Sequence, residues 1–321
     1  CNLKGMVMAK SVETLEKSIK DVPKAKKPES KKNWFSWGLL APVLFFFILM
    51  SVVPTIWMFG LAFYDYTLTS ANKPKLIGFK NFVDFLANQQ LAGSVSRTFI
   101  FLLCAVVLQT LLGILIGVLF WKNDKMPGRR FALTLFFTPM VVTPIATSLF
   151  WKFILDPTLG VINYFVSVLG FERFDTLTDQ TLAFPTLVFV DTWMWTPFMT
   201  LMTLAALGSV PKAELEAAQV DRLPITRLIR TVIWPHAKFI LGLGILLRTI
   251  DAFKTMDLAY VMTGGGPGDR TELIAVSLYR FAFKSFKLGY SSAVSVFLMF
   301  IAIALTSIYL YILNAKKKSE A

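Results

Sequence analysis

Residues 211–235 read PKAELEAAQVDRLPITRLIRTVIWP. Ala213 to Asp221 is made of strong helix formers, with Leu215, Ala218 and Val220 spaced for one helical face. Pro224 suits the first turn of a second helix, in which Ile225, Leu228, Ile229 and Val232 recur at three and four. Pro235 is expected to end it. The stretch therefore reads as two short amphipathic helices joined at Asp221–Leu223, lying on a membrane face. What makes it decisive is the sequence on either side, which is far more apolar.

Working outward, six segments have the roughly 20 apolar residues that a membrane crossing needs. They are Trp37–Phe63, Thr98–Trp121, Phe131–Leu155, Ala183–Gly208, Lys238–Val261 and Tyr290–Leu313. Their sum shows in the composition. Of 321 residues 55% are hydrophobic and 17% charged, against about 25% charged in a water-soluble chain. Mean hydropathy is +0.61. The fold class expected is an all-α membrane protein, a polytopic bundle of six transmembrane helices. Pro42, Pro54, Pro139, Pro144, Pro185 and Pro197 fall inside the spans, where a packed bundle can re-satisfy the freed backbone.

Charge orients the bundle. Of 33 Lys and Arg, 21 lie in residues 1–36, 122–130, 209–238 and after 313. Only 10 lie in the alternate loops, 64–97, 156–182 and 251–289. The positive-inside bias places both termini in the cytoplasm, which an even number of spans requires. Residues 1–36 read as a basic cytoplasmic tail, 37–313 as the membrane domain and 314–321 as a basic cytoplasmic end. Residues 9–33 have no apolar core and do not read as a secretory signal. Ahead of Met8, the first seven residues read as a processing remnant or, alternatively, Cys1 is a lipidated terminus.

Two cysteines, Cys1 and Cys104, and one histidine, His236, rule out a disulfide framework and a zinc site. The basic residues are split between apolar runs and form no single face for nucleic acid. Gly264–Gly268 (GGGPG) lacks the lysine of a phosphate loop and reads as a flexible turn. Asp251 and Asp257 lie six apart with a cation between them, which does not suit glycosidase chemistry.

Ionisable groups inside a span should face protein or water. Arg248, Asp251, Lys254 and Asp257 alternate in sign at spacing three in the fifth segment. They read either as a polar path for a hydroxylated solute or as a ladder of i, i+3 ion pairs. In the fourth segment Asp191, Trp193 and Trp195 are candidates for sugar contact, because aromatic faces stack on sugar C–H groups and carboxylates accept hydroxyl hydrogens. Packing is the other reading of the tryptophans. Lys152 is expected to snorkel to the outer interface.

Residues 211–235 also resemble the EAA loop of binding-protein-dependent ABC importer permeases, with Glu216, Ala217, Ala218, Asp221, Ile233 and Pro235 at matching places. DTWMWTPFMTLMTLAALGSVPK (191–212), YVMTGGGPGDRTE (260–272) and LYRFAFKSFKLGYSSA (278–293) resemble the maltose and glycerol-phosphate type of sugar permease. The resemblance covers roughly 37–313. It implies a bacterial inner-membrane subunit of an ATP-driven importer for a sugar, oligosaccharide or polyol. The partners it implies are a second homologous permease, two ATPase subunits and an extracytoplasmic solute-binding protein. ATP and Mg would sit on the ATPase, and this chain would carry no cofactor and no catalysis. Glu216, Ala217, Ala218, Asp221 and Arg222 would then form the ATPase-coupling helix and its turn. Phe253, Lys254 and Thr255 match positions of solute contact. Arg222 departs from the pattern, which has glycine there, and so puts the tight turn in question. The rival class is a stand-alone secondary transporter or channel, which usually shows internal repeats; none is visible here.

Overall fold

The structure is a computed structural model describing residues 34–123 and 125–318, with side chains described over 37–123 and 125–312. The basic tail up to residue 33, with Cys1, and residues 319–321 lie outside the described residues. The chain divides into two units, 1–55 and 56–321.

In the first unit, α1 (Trp34–Phe47) passes through a π turn (Ile48–Val52) into the start of α2 (Val53–Leu61). Every described side chain from 37 to 55 is exposed although almost all are apolar. A helix with so apolar an exposed face meets lipid or another chain there.

The second unit holds the rest. A short hairpin pairs β1 (Tyr64–Asp65) with β2 (Lys75–Leu76). It is followed by α3 (Lys80–Ala87) and the 34-residue α4 (Gln89–Lys122). Asn88 caps α4, its side chain accepting from the N–H groups of Gln90 and Leu91. Then come α5 (Arg129–Val141), α6 (Pro144–Ile154), α7 (Val161–Val168) and α8 (Ala183–Gly208). The chain continues with α9 (Lys212–Val220), α10 (Ile225–Leu228), α11 (Trp234–Phe253), α12 (Asp257–Thr263), α13 (Ile274–Tyr279) and α14 (Leu288–Lys318).

Four helical stretches are long and apolar enough to cross a membrane: Trp37–Leu61, Gln89–Lys122, Ile225–Phe253 and Leu288–Ile312. A fifth counts if α5 and α6 form one broken span. The third expected span, 131–155, is not one straight helix, because α5 and α6 meet at 99°. Pro144 disfavours helical backbone at the residue before it, and Thr143 turns extended and caps α6. The fourth expected span coincides with α8, 26 residues long, yet it is not among the four. Its apolarity is diluted by a buried polar row: Asp191, Thr192, Thr196, Thr200 and Thr203. Three of the threonines bond back one turn, Thr196 Oγ1 to the Thr192 carbonyl at 2.6 Å, Thr200 Oγ1 to the Thr196 carbonyl at 3.0 Å and Thr203 Oγ1 to the Met199 carbonyl at 2.8 Å, while the Thr192 hydroxyl has no hydrogen-bond partner among the described residues.

α8 is the centre of the unit. It lies against α4, where Gly113 and Gly117 let the two backbones approach. A Cβ on Gly113 would stand 2.5 Å from Met199 Cβ, and one on Gly117 2.6 Å from Thr203 Cγ2. Small residues four apart are how membrane helices gain close packing when lipid supplies no hydrophobic drive between them.

The fifth span differs from expectation at both ends. α10 does not stop at Pro235. A π turn (Ile229–Ile233) carries it into α11, and the Trp234 N–H goes back five residues to the Ile229 carbonyl. That wider turn relieves the demand on Pro235, which has no N–H to give. At the other end the helix stops at Phe253 rather than running to Val261. Lys254 sits at the C-terminus of α11 and Asp257 in the first turn of α12, each charge opposing the dipole of the cut end it occupies.

Candidate functional site

Three helices bring polar groups together where the bundle is otherwise apolar. α4 contributes Gln109, α8 contributes Asp191, and α11 contributes Arg248 and Asp251. Arg248 is 1% exposed and has every side of its guanidinium engaged. Its Nε donates to Gln109 Oε1 at 2.7 Å, its Nη1 to Asp251 Oδ2 at 2.8 Å, and its Nη2 to Asp191 Oδ2. Gln109 in turn donates Nε2 to the Asp191 carboxylate at 2.8 Å. The Trp195 ring lies 5.0 Å from the guanidinium carbon. A buried arginine is tolerable only when its charge is paired, and here each of its three nitrogens gives a hydrogen to an acceptor, two of them carboxylates.

Beside this cluster opens a cavity of about 280 Å³. Asp191, Trp195, Asp251, Lys254, Thr255 and Asp257 line it, with Pro144, Met194, Met256 and Leu258. The break between α11 and α12 forms one wall, so unwound backbone and two helix ends face the space. In a membrane, irregular backbone is tolerated where it is buried in protein or lines a cavity.

Six of the residues singled out in the sequence as candidates for the solute path or the ion-pair ladder thus meet at this cavity, and Arg248 stands behind them. Asp191 is there, but its carboxylate is already held by Arg248 and Gln109. The i, i+3 ladder is real for Arg248–Asp251 and for Lys254–Asp251, at 3.7 Å. It ends there, because the helix break takes Asp257 out of register. Trp193 lies off the cavity, edge-on to Trp151 with ring centroids 5.4 Å apart. Phe253 is buried and packs near Phe99, centroids 6.0 Å apart. Gln109 was missed altogether, since a lone glutamine in an apolar helix carries no spacing signal.

At the far end of α12 is a wider cavity of about 870 Å³, lined in part by Lys152, Asp156, Asp175, Tyr260, Arg280 and Lys284. The Gly264–Gly268 segment beside it is not a loose turn. Arg280 donates to Glu272 Oε2 at 2.7 Å and to the Gly264 carbonyl, and Thr271 Oγ1 donates to the Gly266 carbonyl at 2.7 Å. Glu272 and Thr271 are buried. Glu272 and Arg280, eight apart across a loop, gave no helical or strand spacing to read. Asp156 accepts from the Leu159 N–H, the Thr158 hydroxyl and the Thr158 N–H, and these bonds hold its carboxyl below the usual carboxylate range.

At the opposite end of α11 the α9–α10 hairpin packs on the bundle. Leu215 and Leu228 rest against a core of Ala206, Leu207, Val210, Ile233, Ala237 and Leu241. His236 Nε2 lies 3.0 Å from Glu214 Oε2 and ties α9 to α11. Ala218 is 5% exposed and turns inward, whereas Val220 is 82% exposed and does not share that face as its spacing suggested. Two positions along a helix are about 200° of rotation, so Val220 points away from Ala218. Glu216, Ala217, Asp221 and Arg222 are exposed on the outer side. The tight turn survives without glycine. Arg222 takes φ +48°, the Leu223 N–H bonds the Ala218 carbonyl at 3.0 Å, and the Arg222 N–H bonds the Gln219 carbonyl at 3.1 Å. This is a Schellman ending with arginine in the left-handed place.

Residues 109–319 match the family model of the binding-protein-dependent transport system inner membrane component. The chain is 32% identical over 263 residues to a probable ABC transporter permease protein, y4oQ, of Sinorhizobium fredii, covering 82% of this chain and 83% of that one. It is 29% identical over 287 residues to the trehalose/maltose transport system permease protein MalF of Thermococcus litoralis, covering 89% and 95%. Its fold is similar to that of a bacterial ABC transporter involved in the import of the acidic polysaccharide alginate, with TM-score 0.77, 18% identity, and 89% and 96% covered. The chain therefore belongs to the family of binding-protein-dependent transport system inner membrane components. Its work is that of an ABC importer's membrane-spanning permease.

Proposed function

We propose that this permease passes a carbohydrate or polyol across the bacterial inner membrane through the cavity beside Asp251 and Trp195. The observation that carries the reading is that cavity. Carboxylates at Asp251 and Asp257 accept hydrogen bonds from hydroxyl groups, and the indole of Trp195 offers a flat apolar surface to a sugar's C–H face. The trehalose/maltose name of a relative that spans nearly the whole chain supports the same class.

Six spans fit this reading, with α8 as the polar central one, α5 and α6 as a broken one, and both termini in the cytoplasm. The membrane domain then runs from about 37 to 313. The outer face of α9, with Glu216, Ala217 and Asp221, docks on a cytoplasmic ATPase, and Ala218 and Arg222 shape the helix that does so. ATP and Mg act on that partner, so this chain is a non-catalytic subunit. A second permease, a second ATPase subunit and an extracytoplasmic binding protein complete the importer. ATP-driven closure of the ATPase pair would push α9 and alternate access to the cavity.

The test is reconstitution of the assembled importer in liposomes with its binding protein and a panel of sugars and polyols. Carbohydrate-dependent ATPase stimulation and uptake are expected. Stimulation by no carbohydrate, with stimulation by another solute class, would refute the assignment.

A further inference from the structure

The relatives do not decide the charge of the solute, since one is named for trehalose and maltose and another is involved in import of an acidic polysaccharide. The cavity does decide it. Three carboxylates line it, Asp191, Asp251 and Asp257, against the single ammonium of Lys254. Counting Arg248 behind them still leaves one net negative charge. We infer that the solute passing this subunit is uncharged, a neutral sugar or polyol rather than a phosphorylated, sulfonated or uronic one. The inference rests on the carbohydrate reading above and narrows it.

An anionic group entering this space sheds water, and that is tolerable only if a cation replaces the lost hydration. Arg248 cannot do so. Its Nε, Nη1 and Nη2 are given to Gln109, Asp251 and Asp191, and Trp195 covers its face. Lys254 Nζ already lies 3.7 Å from Asp251 Oδ1. Asp257 has no ion-pair partner among the described residues and meets only the N-terminal dipole of the short α12, so it adds to the repulsion of an anion. The wider cavity beyond does not reverse this. Arg280 is held by Glu272 and Gly264, and Lys152 and Lys284 are matched in number, though among the described residues not joined in ion pairs, by Asp156 and Asp175. A neutral solute meets no such barrier, and its hydroxyls find carboxylate acceptors at Asp251 and Asp257.

The test reads the cavity's charge directly in the assembled importer. Both native cysteines, Cys1 and Cys104, are replaced by serine, and Thr255→Cys places a thiol in the lining. Met256→Cys serves as a second reporter should the first assemble poorly. Cationic and anionic methanethiosulfonates are reacted with each, and the rates are normalised to those for a free thiol. The cationic reagent is expected to react about tenfold faster, equivalent to about 1.4 kcal/mol, and Asp257→Asn should shrink that ratio. An anionic reagent reacting as fast or faster overturns the inference. In the transport arm, uptake of a hexose phosphate or uronate above that of the matching neutral sugar also overturns it, while leaving the carbohydrate reading intact. Uptake of no carbohydrate at all would instead remove the reading on which it rests.

Discussion

Arg248 donates its Nε hydrogen to Gln109, a residue 139 positions earlier in the chain, across 2.7 Å. The bond ties α11 to α4, and the pairing of Arg248 with Asp191 ties α11 to α8. Gln109→Leu leaves one donor of a buried cation unpaired, which typically costs about 1–3 kcal/mol. Arg248→Met strands the Asp191 carboxylate, and breaking a buried pair on one side typically costs about 3–5 kcal/mol. The double replacement Asp191→Leu with Arg248→Met should recover much of that loss. Thermal unfolding of the purified protein checks all three, and additive rather than compensating losses would contradict the pairing.

Arg222 occupies a left-handed conformation that costs a residue with a Cβ about 1–2 kcal/mol. Glycine takes it freely, at some cost in unfolded-state entropy. Arg222→Gly should therefore keep or slightly raise stability and leave the ATPase response to loaded binding protein unchanged. Arg222→Val, β-branched, should lower both. A salt-sensitive loss of assembly in Arg222→Gly would show instead that the guanidinium pairs with the partner.

Gly113 and Gly117 leave no room for a side chain against Met199 and Thr203. Gly117→Val should push α4 from α8 and cost roughly 1–3 kcal/mol, as overpacking does. Gly38, with nothing within 4 Å of a built Cβ, is the control, and Gly38→Val should be nearly neutral. Equal effects on protein yield and unfolding temperature would argue against the α4–α8 contact.

Ala217 and Ala218 are neighbours with opposite surroundings, one exposed and one buried. Ala218→Trp should unfold the hairpin itself, through an overpacking cost of about 1–3 kcal/mol. Ala217→Trp should leave the purified permease as stable as the parent yet release the ATPase subunit. Retention of the ATPase by Ala217→Trp, with normal uptake, would remove the outer face of α9 from the coupling contact.

The Asp156 carboxyl is held low by hydrogen bonds from Leu159 and Thr158, so the ionised form is the one the folded loop favours. A depressed value means the stabilisation is present above the unfolded pKa of about 3.9 and is lost as pH falls through the folded value. Hydrogen exchange of the amides of Thr158 and Leu159 should thus stay protected from neutral pH down to that value and open below it. Asp156→Asn should raise exchange at neutral pH and remove the dependence on acid.

Periodicity and local chemistry were enough to find the four long apolar helices, because burial in lipid demands about 20 apolar residues in a row wherever the span sits. They were also enough to place the α9–α10 hairpin and to pair Arg248 with Asp251, since residues three apart on a helix are neighbours; position 222 was marked by the resemblance, whose pattern has glycine there. What each helix face meets was another matter. Ala218 and Val220, read as sharing a face, are two apart and so point to opposite sides of α9; which side is covered was decided by its packing on Leu207 and Ile233. The 99° bend at Thr143 follows from Pro144, but the continuation past Pro235 and the break at Lys254 had no signal in the spacing. Gln109, Asp191 and Arg248 lie 57 to 139 residues apart. No spacing rule links such distances, so their meeting, and the charge of the cavity beside them, follows only from how α4, α8 and α11 pack.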